Sequence, residues 1–180
     1  MRVFAAVDPG ARGCGVAVFD DGFLTSAAYV RNAVAGDLRA AGAAAAARAV
    51  VEWLVGRDVE GVVVEWPRVY AARIREGRRG ADPNDLLCLA GVGAAVAAVL
   101  GGLPTASYAP SEWKGQLPHE ACRRRVEGRL FPSELHLLKQ ADAAAGASLA
   151  HNVWDAVGVG LHHLGRLAPR RAREGAEVVG

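Results

Sequence analysis

Two apolar runs that each end on an acidic residue dominate the hydrophobic pattern of the chain. Residues 3–7 are apolar and lead to Asp8, where a Pro-Gly pair stops the run. Residues 62–64 are three valines that lead to Glu65. Unbroken runs of this kind predict strands that are buried on both faces. A buried carboxylate at a strand end is costly unless a partner compensates its charge, so both acids are candidate site residues.

The remaining strand signals predict one mixed sheet. The Asp20–Gly22 segment is a hairpin turn that requires positive φ, and it joins two strands of an antiparallel meander. Short turns give antiparallel neighbours, whereas right-handed crossovers through helices give parallel ones. We therefore predict an α/β domain whose five-stranded mixed sheet has three antiparallel strands, then two parallel ones, with helices on both faces. The strands are predicted at residues 2–8, 14–19, 23–30, 62–65 and 104–108.

Helical periodicity and capping residues predict the intervening elements. Asp37 is the expected N-cap of an alanine-rich helix that ends at Gly56. Asp82 and Pro83 are the expected start of a second helix, rich in small residues, that ends at Gly101. The segment from 131 to 146 has no clear preference. Residues 110–114 predict a turn or short helix, and further helices are predicted at 118–129 and 149–167.

Composition limits the class of protein. The chain has 180 residues, 52% hydrophobic and 22% charged, which is typical of a globular protein. We expect one domain over 1–168 and a charged, disordered tail over 169–180. Three isolated cysteines form neither a disulfide framework nor a metal-binding spacing, which favours a reducing compartment. Without a signal peptide or a membrane-spanning stretch, the expectation is a soluble cytoplasmic protein.

The net charge of +2 is too small to indicate a nucleic-acid partner by itself. The distribution of arginine is more informative, because basic clusters follow Glu65, occupy residues 114–129 and recur near the tail. Basic groups close to acidic strand ends are typical of a surface that holds a polyanion over a metal site. Ordinary solvated faces explain the same clusters equally well on charge alone.

A third acid completes a candidate metal site. Asp155 lies near the start of the last predicted helix, and His151 and Asn152 share its helix face. Neighbouring first and fourth strands would place Asp8 beside Glu65, where like charges repel unless a cation lies between them. Carboxylates are ligands that Mg²⁺ and Mn²⁺ prefer, and two such ions about 4 Å apart can activate water against a phosphodiester.

These segments together resemble a known family. The Asp8-Pro-Gly strand end, the strand ending on Glu65 and the helix that begins His151-Asn-Val-Trp-Asp155 resemble the RuvC family of Holliday junction resolvases, which belongs to the RNase H-like superfamily. The resemblance covers about residues 2 to 166. It implies an RNase H-like fold and a homodimer that cuts four-way DNA junctions by paired nicks. It also implies two Mg²⁺ ions per active site, with Mn²⁺ as an alternative, and neither a membrane nor a small-molecule substrate.

The resemblance also implies roles for individual residues. Asp8, Glu65 and Asp155 match the catalytic carboxylates that bind metal. Asn152 stands where many members carry another Asp, so the site has three charges instead of four, and His151 is its rival for completing the metal shell. A lysine near the DNA matches Lys114, and an aromatic that probes the junction centre loosely matches Tyr70. The residues expected to bind DNA are Lys114, Arg68, Tyr70, Arg73, Arg78, Arg79, Arg123 and Arg124.

Other interpretations stay open. Asp8 alone can be a turn residue, Glu65 an edge-strand acid and Asp155 a first-turn helix acid. A DNA-binding module with a degenerate site would explain Asn152. YqgF-like nucleases share the Asp8 loop, although they tend to be shorter. The loop also resembles the phosphate loop of actin-like ATPases and sugar kinases, which need a second domain that the chain has no room for. A requirement for divalent metal in DNA cutting separates the nucleases from the other classes.

Overall fold

The computed structural model describes residues 2–34, 40–68, 83–115 and 117–167. Nearly every boundary of the described elements falls within a few residues of its prediction. The elements are β1 (Val3–Asp8), β2 (Gly13–Asp20), β3 (Phe23–Arg31), α1 (Ala40–Leu54), β4 (Val62–Glu65), α2 (Pro83–Val99), β5 (Thr105–Tyr108), α3 (Pro110–Trp113), α4 (His119–Glu127), α5 (Pro132–Ala145) and α6 (Ala150–His163).

The strands form one mixed sheet in the order β3-β2-β1-β4-β5. The β1–β2 and β2–β3 pairs are antiparallel, and the β1–β4 and β4–β5 pairs are parallel. This confirms the predicted meander followed by two parallel strands. The hairpin turn is also as predicted, because Asp21 and Gly22 both have positive φ, of 48° and 84°. Opposite Val64 on β4 lies Val7 on β1, so the two strands deliver Asp8 and Glu65 to the same edge.

Helices cover both faces of the sheet. Successive residues of β1 point to opposite faces, so Ala5 contacts the apolar core under α1 and α2, whereas Ala6 contacts the core under α4, α5 and α6. Both cores are continuous along the sheet, which explains why β1 and β4 are apolar without alternation. None of the helices in the described parts of the chain has the length and apolarity needed to cross a membrane.

Helix α6 lies unusually close to the strands beside it. Gly15 on β2 pairs with Asp8 on β1, and a Cβ at Gly15 would overlap the backbone of Asn152. Gly160 allows a similar approach of α6 to Phe19. The glycine at position 15 therefore allows the first turn of α6 to reach the end of β1.

One segment without a clear sequence preference is a regular helix. Glu134 in the first turn of α5 accepts hydrogen bonds from the Phe131 and Leu24 backbone N–H groups, both at 2.7 Å. Arg166 donates to both carboxylate oxygens of Glu134 at 2.7 and 2.8 Å. A buried ion pair at a core position interrupts the apolar period, which is why the sequence pattern shows no clear preference here. The predicted caps Asp37 and Asp82 and the tail over 169–180 lie outside the described residues.

Candidate active site

Three carboxylates from three elements meet at the end of the central strands. Asp8 ends β1, Glu65 ends β4, and Asp155 lies in the second turn of α6. Asp8 and Glu65 are only 7% and 8% exposed, so their charges are largely removed from water. The structure thus brings together the three acids that the sequence singled out.

Lys114 joins two of these acids. The residue directly follows α3, and its backbone N–H closes that short helix by donating to the Pro110 carbonyl. Its Nζ donates to Asp155 Oδ2 at 2.8 Å and lies 3.3 and 3.5 Å from the two carboxylate oxygens of Glu65. The ammonium therefore faces the carboxylates. Its predicted DNA contact stays a prediction.

Trp113 is a site residue that the sequence analysis did not identify. Its Nε1 donates to Glu65 Oε2 at 2.7 Å, and the side chain is 1% exposed. Arg125 donates to the Trp113 carbonyl at 3.0 Å, and Gly158 leaves room for the indole ring. Trp113 ends the short helix that follows β5, and β5 pairs with β4, which is the sequence signal for this contact.

The electrostatics reflect crowded negative charge. Burial, followed by the charges of Glu65 and Asp155, raises the pKa of Asp8 well above its usual range, against the opposing effects of Lys114 and Asn152. Burial also raises the pKa of Glu65, although Lys114 counteracts part of this shift. Burial alone would lower the pKa of Lys114, but the negative charges of Glu65 and Asp155 outweigh it and raise the pKa. One lysine is not enough to neutralise three acids.

An open cleft of about 400 Å³ leads to part of this cluster. Asn152 is buried and its side chain hydrogen-bonds to Asp8, whereas His151 is exposed at the cleft wall. Of these two rivals, Asn152 is the one that contacts an acid of the site. The polar residues that line the cleft include Asp8, Arg12, Tyr29, His151, Asn152 and Asp155.

The described residues that are expected to bind DNA have different surroundings. Arg68 is exposed just after β4, and Arg124 is exposed on α4. Arg123 forms an ion pair with Asp142 at 2.7 Å and stacks on the Trp154 ring at 4.2 Å, so its charge is already partly compensated. The remaining four lie outside the described residues: Tyr70, Arg73, Arg78 and Arg79.

The donor set fits one hard divalent cation. Within the described residues, no group of three or more Asp, Glu, His or Cys side chains is arranged to hold a metal ion. Asp8, Asp155 and Asn152 nevertheless border the same cleft. Mg²⁺ in proteins commonly takes one or two carboxylates and completes its shell with water and substrate phosphate. These three residues provide such a set.

This protein resembles known proteins in its structure and not detectably in its sequence. No protein-family model matches the sequence, and none of the curated proteins matches it. A solved structure described as T. thermophilus RuvC in complex with Holliday junction substrate matches with a TM-score of 0.54 and 18% identity, over 91% of this chain and 93% of that one. The chain has the RuvC fold. A Thermus thermophilus RuvC structure matches with a TM-score of 0.53 and 20% identity, over 91% and 97% of the two chains.

The RuvC match confirms the resemblance in fold that the sequence motifs suggested. It covers nearly the whole of both chains. At 18–20% identity the match establishes the fold alone.

Proposed function

We propose that this chain is a metal-dependent endonuclease that resolves four-way DNA junctions. The observation that supports the proposal most is the meeting of Asp8, Glu65 and Asp155 beside an open cleft, at the end of the central strands of a RuvC fold. One of the RuvC structures with this fold is in complex with a Holliday junction substrate. The proposal places the protein in DNA recombination and repair, in the cytoplasm.

The site residues would have different roles in phosphodiester hydrolysis. Asp8 and Asp155 would hold a divalent cation, which activates water and stabilises the leaving oxygen when it is bound. Trp113 holds Glu65 in one orientation, and Lys114 supplies positive charge close to where a phosphate would lie. Because these groups are buried and preorganised, they need little rearrangement when charge develops on the phosphate. The resemblance implies two Mg²⁺ ions per site, with Mn²⁺ as an alternative, whereas Asp8 and Asp155 are the carboxylates that line the cleft.

Metal-dependent nicking tests the proposed chemistry. A labelled four-way junction is incubated with the protein in chelator, in Mg²⁺ and in Mn²⁺, and the products are separated under denaturing conditions. We expect nicks only when a divalent metal is present. Junction binding without nicks in either metal would instead favour a DNA-binding module, for which the uncharged Asn152 is the specific observation. Nicking in chelator would contradict the metal-dependent proposal.

A second copy of the chain is the expected partner, since paired nicks need two active sites. Helix α2 has 17 residues with one charge, Asp85, yet only three of its residues are buried. An apolar stripe at helical spacing is exposed along it, and a helix that is apolar all round is normally buried. We propose that this stripe packs against a second copy. The stripe consists of Leu87, Gly91, Ala94 and Ala98.

Replacing Leu87 with Glu should convert a dimer to a monomer. Leu87 is 66% exposed, so the change should not unfold the chain, but it would place a charge inside the proposed contact. Light scattering coupled to size-exclusion chromatography measures the mass. Val55, 73% exposed after α1, provides the control, and Val55→Glu should remain dimeric. A monomeric wild type, or a dimeric Leu87→Glu variant, would contradict this interface.

Replacing Trp113 with Phe should lower kcat for junction cleavage by about 10-fold, because a hydrogen bond to a charged group contributes about 1.5–3 kcal/mol. The ring stays, but Glu65 loses the Nε1–H donor at 2.7 Å. Cleavage kinetics at saturating junction provide the measurement.

Trp154→Phe is the matched control for that change. It removes a 2.9 Å indole bond to Asp142, which lies outside the site. We expect similar losses of stability in the two variants and a loss of kcat in Trp113→Phe alone. Equal kcat values in the two variants would show that Trp113 does not position Glu65.

A further inference from the structure

The Lys114 ammonium lies between two of the three acids. Its Nζ is 2.8 Å from Asp155 Oδ2 and 3.3 Å from Glu65 Oε1. The Asn152 side chain hydrogen-bonds to Asp8, which the charge of Lys114 also influences. The hydrogen bonds of the ammonium itself go to Asp155 and Glu65.

The cleft reaches two of the three acids. Asp8, Asn152 and Asp155 line it, whereas Glu65 and Lys114 are absent from its described lining. The buried Trp113 indole donates to Glu65 at 2.7 Å. An ion that enters from solvent therefore reaches Asp8 and Asp155 first. To reach Glu65 as well, a second ion would have to displace the ammonium.

The net charge of the three acids and Lys114 also favours a single bound divalent ion. When ionised, its three carboxylates and one ammonium have a net charge of −2, which one divalent ion neutralises. A second ion would leave the cluster positive unless the lysine withdrew. Asn152 is uncharged, so it does not restore the balance.

We infer that this site takes one divalent cation per chain, on Asp8 and Asp155, and that the Lys114 ammonium stands where a second cation would bind. The inference rests on the proposed nuclease function and refines it. Lys114 then supplies the fixed positive charge that faces the scissile phosphate from the Glu65 side. A fixed ammonium needs no metal loading and performs the electrostatic part of a second ion's role.

Counting bound ions tests this inference without an activity readout. Mn²⁺ is titrated into the full chain by calorimetry, with four proteins in parallel. We expect one ion per chain for the wild type and for Lys114→Arg, which keeps the charge. We expect two ions for Lys114→Met, which keeps the apolar stem. Lys139 pairs with Glu127 on the surface, so Lys139→Met is the matched control and should bind one ion.

The outcomes separate the inference from the proposed function. Two ions in the wild type, or one in a folded Lys114→Met variant, would overturn the inference while the nuclease proposal stood. No bound ion in the wild type would overturn the inference, and the nicking assay would decide the proposal independently.

If Lys114→Met does not fold, the dependence of wild-type junction cleavage on Mn²⁺ concentration provides the second test. A Hill slope near one supports a single ion, whereas a slope near two overturns it.

Discussion

Replacing Asp8 with Asn should lower metal-dependent junction cleavage by about 10³-fold while making the metal-free protein more stable. The variant is nearly the same size, so the site keeps its shape but loses one carboxylate. The gain in stability follows from burial, since Asp8 is 7% exposed and its charge lies close to Glu65 and Asp155. If Asp8 served only to stabilise the fold, its replacement with Asn would make the metal-free protein less stable.

The stability gain from Asp8→Asn should depend on pH. The pKa of Asp8 in the folded state lies well above its ordinary value of 3.8. As pH rises past that ordinary value, the unfolded chain loses the proton first, and the folded wild type becomes progressively less stable than the variant. The difference is therefore small near pH 4 and grows until pH passes the raised folded-state pKa.

Thermal unfolding in chelator from pH 4 to pH 8 measures this difference. Asp142→Asn is the control, because Asp142 pairs with Arg123 and Trp154 outside the site. That variant should lose stability and retain cleavage. An Asp8→Asn protein that still cuts, or one that is less stable than the wild type at neutral pH, would contradict the role given to Asp8.

Replacing Gly15 with Ala should destabilise the protein by about 3 kcal/mol or more, the largest stability effect that we expect for a single methyl group. The added Cβ would overlap the carbonyl of Asn152, which is α6 backbone and cannot rotate away as a side chain could. The helix would have to shift outward. Since α6 holds Asp155 near Asp8, cleavage should fall together with stability.

Chemical denaturation measures the Gly15→Ala effect. Gly128→Ala is the control, because Gly128 has a φ of −68° and an added Cβ there would lie 3.4 Å from its nearest neighbour. That variant should change the free energy of unfolding by less than about 1 kcal/mol. A Gly15→Ala protein as stable as this control would show that the approach of α6 to β2 is not a constraint.

Local patterns were sufficient for the sheet and for the three acids. β1 and β4 are buried on both faces, so their apolar runs end abruptly where the chain becomes polar, and that end is where Asp8 and Glu65 lie. Once the strands were identified, the crossover rule was enough to pair them. Asp8 and Glu65 were visible for the same reason, since each carboxylate ends a buried run. Asp155 was identified instead from the polar cluster at the start of the last predicted helix.

Contacts between distant segments were not visible in the sequence. Trp113 bonds to Glu65 across 48 positions, and an indole gives no local sign of its hydrogen-bond partner. The same holds for Glu134, whose ion pair with Arg166 replaces an apolar core contact. Basic residues were misleading in a related way. Arg166 and Arg123 belong to predicted basic clusters, yet both are bound to carboxylates of their own chain.

The most direct test of junction resolution compares a labelled four-way junction with a linear duplex of the same sequence, in Mg²⁺, for the wild-type protein. We expect paired, symmetric nicks in the junction and an intact linear duplex. Equal cutting of the two substrates would show a metal-dependent nuclease that does not select junctions. A wild-type protein that binds the junction and never cuts it, in Mg²⁺ or in Mn²⁺, would contradict the proposed nuclease function.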